Sequence, residues 1–174
     1  MKVSLANWLT ASRIFLAFPI FFLLMSSIPH HRTFATILFC LAGLTDYFDG
    51  KIARVYGEIT PFGKFFDPLA DKVLVISVLM GLTILREVPL WMVLLIVTRE
   101  ILVTFLRAGN VEKFSPTILA KSKTAFQMSG IGIILFIPCL TQPREVLTYI
   151  IMTIILLVTI ISGTQYFFVA RRKT

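Results

Sequence analysis

Asp46, Asp49, Asp67 and Asp71 stand in one continuous stretch, DYFDGKIARVYGEITPFGKFFDPLAD, of a chain that is otherwise strongly apolar. A carboxylate left near a bilayer centre costs roughly 2.5–3.5 kcal/mol, and no structural role easily offsets four of them. With about 100° between successive helical residues, Asp46, Asp49 and Ala53 share one face, and Gly50 lies slightly to the side. Gly63, Asp67 and Asp71 are spaced by four and form a stripe on a following helix. Two antiparallel helices joined by a short loop would bring the stripes together, with no equal number of cations in those stripes. Like charges that close cannot all stay ionised without a counter-ion. Ligands that are all oxygen suit Mg²⁺ or Mn²⁺, here as a pair of ions, and do not suit zinc or copper. Gly50 and Gly63 leave the backbone beside the acids open to a bulky ligand. The competing reading is close helix packing, and beside four aligned acids the ligand reading is favoured. Pro68 either begins a regular segment or frees the carbonyl of Lys64, and the sequence leaves both open.

The elements that must position these acids are membrane helices. Hydrophobic residues make up 57% of the 174 and charged ones 15%, which excludes an ordinary soluble domain. A spanning helix needs about 20 mostly apolar residues, and in hydrocarbon its backbone groups must be paired within the element. The expected fold is all-α: a polytopic integral membrane protein with six transmembrane helices in a single domain over residues 1–174. A short amphipathic segment, residues 1–9, is expected to lie in the interface ahead of the first span. The spans are expected near 10–28, 32–56, 61–85, 89–108, 118–138 and 145–170, with turn signals such as Ser26-Ser27-Ile28-Pro29 between them. No small-residue cleavage site follows the first apolar run, so no cleavable signal is expected.

Charge orients the bundle. Lys2, Arg13, Lys51, Arg54, Lys64, Lys72, Arg99, Arg107, Lys113, Lys121, Lys123, Arg171, Arg172 and Lys173 fall on or near one side. Only Arg32, Arg86 and Arg144 fall on the other. The positive-inside rule then predicts cytoplasmic termini and an acidic stretch open to the cytoplasm. The net charge of +8 reads as this bias, with anionic lipid headgroups as neighbours. Nucleic acid is not expected as a partner, because the basic residues lie between apolar spans.

Arg99, Arg107, Lys121 and Lys123 should cluster at the cytoplasmic ends of spans four and five, where they would suit an acceptor that already carries phosphate. Glu100 is a candidate partner for one of the arginines. Lys113 and Arg171 to Lys173 read instead as headgroup anchors. Cys40 and Cys139 lack ligand spacing and are expected to be packed thiols. His30 and His31 read as a solvated loop, and Trp91 and Tyr166 as interface anchors.

The spacing D-x2-D-G-x2-A-R-x8-G-x3-D-x3-D, eight fixed residues across 26 positions, resembles the signature of the CDP-alcohol phosphotransferases. Asn7, Leu9, Thr10 and Arg13, the run from Gly63 to Lys72, Arg99-Glu100, Arg107, and Lys121-x-Lys123-Thr124 with Gln127 resemble its bacterial phosphatidylglycerophosphate synthase branch. One departure is Ala120, where that branch usually has glycine.

The resemblance implies a six-helix membrane enzyme of the bacterial cytoplasmic membrane, usually a homodimer. Its implied reaction is transfer of the phosphatidyl group of CDP-diacylglycerol to glycerol 3-phosphate, giving phosphatidylglycerophosphate and CMP. It assigns Asp46, Asp49, Asp67 and Asp71 to two divalent metals and makes Asp71 the general base. Gly50, Ala53, Arg54 and Gly63, with Asn7 and Thr10, would take the CDP donor. Arg99, Arg107, Lys121 and Lys123 would take the acceptor phosphate. Two alternatives stand beside it. One is the same chemistry with another acceptor, inositol phosphate or the phosphatidylglycerol used by a cardiolipin synthase. The other is an ion carrier lined by carboxylates.

Overall fold

The computed structural model describes residues 5–56, 61–108, 118–137 and 144–171, with side chains described over 11–45, 69–104, 123–137 and 145–164. Six helices make up these segments: α1 Leu5–Met25, α2 His31–Tyr56, α3 Pro61–Ile84, α4 Leu90–Ala108, α5 Ile118–Phe136 and α6 Arg144–Arg171. There is no strand among the described residues. Each expected span coincides with one helix to within a few residues. The separate interfacial segment is not seen over residues 5–9. These residues continue α1 without a break, since no Gly or Pro interrupts the chain between Leu5 and Arg13. Pro68 lies seven residues inside α3 and so does not begin it.

The connections are closed by local hydrogen bonds. After α3, Arg86 takes a left-handed φ of 58°. The Arg86 N–H then donates to the Thr83 carbonyl, and the Glu87 N–H to that of Leu82. These two bonds are the Schellman termination usually built around glycine. Turned back in this way, Glu87 meets Arg32 at the start of α2 as an ion pair. Between α1 and α2, His30 is also left-handed, at 59°. His31 is not a solvated loop residue: its Nδ1–H donates to the Leu23 carbonyl at 2.9 Å, which ties α2 to the end of α1.

The packing order closes on itself. α1 packs on α2 and α3, α2 on α5, α5 on α6, α6 on α4, and α4 on α3, while α3 also reaches α5. One core runs through all six helices, including Ile20, Leu24, Phe39, Leu79, Met92, Ile96, Ile134 and Met152. The outer surface is apolar as well, with Phe15, Phe22, Val146 and Ile161 all more than half exposed. Cys40 faces outward rather than packing inside, and Cys139 lies outside the described residues. Among the described residues one segment, Glu145–Thr164, is long and apolar enough to cross a membrane by itself. Ala11–Met25 and Lys123–Phe136 are shorter apolar stretches. The other helices carry their charged motif residues within the helix: α2 from Asp46 to Arg54, α3 from Lys64 to Lys72, and α4 at Arg99 and Glu100.

Candidate active site

Three faces of α3 meet three different helices, so consecutive residues on it can address different partners. Asp71 turns to α1, where the Arg13 guanidinium pairs with its carboxylate. Arg13 is fully enclosed and Asp71 one-fifth exposed. The cation missing from the two acidic stripes is thus supplied, for Asp71, by a third helix. Lys72 turns the other way and donates from Nζ to the Glu100 backbone carbonyl on α4 at 3.2 Å.

Around Glu100 the basic residues gather as the sequence predicts for two of the four. Arg99 donates from Nη1 to Glu100 Oε1 at 3.0 Å, and Lys123 of α5 pairs with the same oxygen. Lys123 is nearly fully buried. Arg99 is anchored on its other side by α6, donating from Nη2 to Ser162 Oγ at 2.7 Å. That hydroxyl in turn donates to the Thr159 carbonyl at 3.0 Å, so its acceptor lone pairs face the guanidinium. Gly163 lets Arg99 lie against the α6 backbone, since a Cβ there would stand 3.0 Å from Arg99 Nε. Gln127, one turn along α5 from Lys123, is also buried. Glu100 was expected to pair with one of the arginines and does so with Arg99, whereas Ser162 and Gly163 are residues whose part here the sequence did not disclose. An acid beside an arginine within an apolar span was the one visible signal, and nothing in α6 marked Ser162 or Gly163.

The remaining candidates are placed by their helices alone. Asp46, Asp49, Gly50, Ala53 and Arg54 occupy the second half of α2, and Gly63 and Asp67 the first two turns of α3. Asn7 and Thr10 lie in the first two turns of α1, Arg107 in the last turn of α4, and Lys121 in the first turn of α5. Their side chains lie outside the described residues. Among the described residues no group of three or more His, Cys, Asp or Glu converges. The donor set itself is four carboxylates at i, i+3 and i, i+4 spacing on two helices that both pack on α1. That chemistry fits a hard divalent cation.

Comparison with known proteins shows the family. The sequence model of the family described as CDP-alcohol phosphatidyltransferase matches residues 3–161. A Mycobacterium tuberculosis protein named "Probable phosphatidylglycerophosphate synthase" is 40% identical, over 94% of this chain and 79% of its own length. Two proteins named "CDP-diacylglycerol--glycerol-3-phosphate 3-phosphatidyltransferase" are similar over comparable lengths. The Bacillus subtilis one is 35% identical over 94% of this chain and 93% of its own. The Rickettsia bellii one is 39% identical over 96% of each. The matched region takes in the acidic stretch of α2 and α3, Arg13 and the cluster around Glu100, and on that extent the chain belongs to the CDP-alcohol phosphatidyltransferase family.

Proposed function

We propose that the protein transfers the phosphatidyl group of CDP-diacylglycerol to glycerol 3-phosphate, forming phosphatidylglycerophosphate and releasing CMP. The observation that carries this reading is the join between two chemistries on α3. Asp71 is the expected base, and the next residue, Lys72, reaches Glu100, around which Arg99 and Lys123 gather. A phosphorylated alcohol held by those cations would have its hydroxyl within the neighbourhood of a carboxylate.

Asp46, Asp49, Asp67 and Asp71 would hold two divalent ions, Mg²⁺ or Mn²⁺, whose charge would stabilise the donor diphosphate and the CMP leaving group. Gly50, Ala53 and Gly63 would leave room for the cytidine, Arg54 would sit near its phosphates, and Asn7 and Thr10 would border the donor. Asp71 would accept the proton of the attacking hydroxyl. Arg13 would keep that carboxylate aimed through its pairing. Arg99 and Lys123, with Arg107 and Lys121 from the same helix ends, would bind the acceptor phosphate.

The six helices would all span the bacterial cytoplasmic membrane, with both termini and the acidic stretch on the cytoplasmic side, as a homodimer. Outward Phe, Leu and Ile side chains on all six helices support a lipid environment, since soluble surfaces rarely expose apolar patches so broadly.

The test is CMP release by the purified protein from CDP-diacylglycerol in detergent. Glycerol 3-phosphate should drive it and a chelator should abolish it, with Mg²⁺ or Mn²⁺ restoring it. Release with phosphatidylglycerol or inositol phosphate, but none with glycerol 3-phosphate, would overturn the acceptor assignment.

A further inference from the structure

Three cations and one anion meet where α3, α4, α5 and α6 converge. Lys72 comes from α3, Arg99 and Glu100 from α4, and Lys123 from α5, while Ser162 of α6 closes the far side of Arg99. Each of these links but the last runs through one residue. The Glu100 carboxylate takes Arg99 and Lys123, and its backbone carbonyl takes both Lys72 Nζ at 3.2 Å and Thr104 Oγ1 at 2.7 Å. Among these four described side chains the cations outnumber the anion by three to one, a balance that suits an anionic ligand.

We infer that Glu100 is a positioning residue for acceptor binding: a shared counter-ion that holds Arg99 and Lys123 at the spacing a phosphate requires. The inference rests on the acceptor reading above. The physical need is twofold. Like charges brought together among largely buried side chains repel strongly, so without an anion the two cations would swing apart before substrate arrives. A lysine side chain also loses rotamer freedom when it is held in place, and an existing pairing removes that cost before binding. The Lys123 ammonium has three donors, of which Glu100 takes one. Glu100 itself touches no reacting atom and acts through its neighbours.

The test uses Glu100→Gln, which keeps the shape and removes the charge. Its KM for glycerol 3-phosphate should rise about tenfold, the scale of one charge-assisted hydrogen bond, with the KM for CDP-diacylglycerol unchanged. A purely structural role would move both. Combined with Lys123→Ala, it should raise the acceptor KM by less than the product of the two single effects, because both remove the same arrangement. Glu100→Asp, which keeps the charge at shorter reach, should give a smaller rise and serves if the Gln variant does not fold. An unchanged or lowered acceptor KM, or full multiplicativity with Lys123→Ala, would overturn the inference. Failure of the acceptor reading itself would look different: wild-type protein would release CMP no faster with glycerol 3-phosphate than without it.

Discussion

Arg13 shows how a residue outside the acidic stretch comes to pair with it. Its side chain is fully enclosed, and its described ion-pair partner is Asp71, 58 positions away. The sequence displayed both residues, one in an N-x-L-T-x2-R opening and the other closing the aspartate series, but no spacing rule links two helices across that distance. The same limit hid the pairing of Glu100 with Lys123. What could be read was the type of residue and the helix face it occupies. Removing one member of a buried pair strands the other's charge, typically at about 3–5 kcal/mol, whereas replacing both by apolar groups can be neutral. Arg13→Met should therefore lower the unfolding temperature in detergent by about 10 °C. The double variant Arg13→Met with Asp71→Leu should recover most of that loss, yet remain without CMP release. Recovery of activity along with stability would remove Asp71 from the chemistry.

At the scale of helices, the punctuation of the chain was legible. Pro29, Pro61 and Pro89 fall at helix starts or just before them, and mostly apolar runs lie between. Helix contacts were not legible, because they depend on which small residue meets which large one. Gly130 and Gly43 look alike in sequence. A Cβ at Gly130 would stand 2.7 Å from Ile155 Cδ1 and 3.2 Å from its Cγ1, whereas at Gly43 the nearest atom is Met128 Cε at 3.6 Å. Gly130→Ala should then destabilise the α5–α6 contact by about 1–3 kcal/mol through overpacking. Gly43→Ala should be neutral or slightly stabilising, since alanine gains up to about 1 kcal/mol within a helix. Comparing unfolding temperatures of the two variants checks this directly. Gly163→Ala belongs to a different class. The new methyl would press on Arg99 Nε and Cγ, at 3.0 and 3.3 Å, so its effect should appear in the acceptor KM more than in stability. Equal losses of donor and acceptor affinity would show that α6 merely supports the fold.

For the whole molecule, the arrangement of charge makes a claim about the membrane that can be tested without any assay of turnover. Six spans with the basic residues gathered at one side require the α1–α2 turn to lie opposite the C-terminus. Cys40 supplies a built-in depth marker. It lies nine residues after the first residue of α2, about 14 Å along the helix axis, on the outward surface. Buried in lipid at that depth, it should resist a membrane-impermeant maleimide in intact cells although its side chain is exposed in the isolated chain. In a Cys40→Ser, Cys139→Ser background, Ser27→Cys places a thiol in the exposed α1–α2 turn, and Thr174→Cys places one at the C-terminus. The turn should label in intact cells and the C-terminus only after permeabilisation. Labelling of both from the same side would mean an even number of crossings between them, so that not all of α2 to α6 span. Labelling of Thr174→Cys alone in intact cells would reverse the bundle and set the acidic stretch on the wrong face for a cytidine nucleotide made inside the cell.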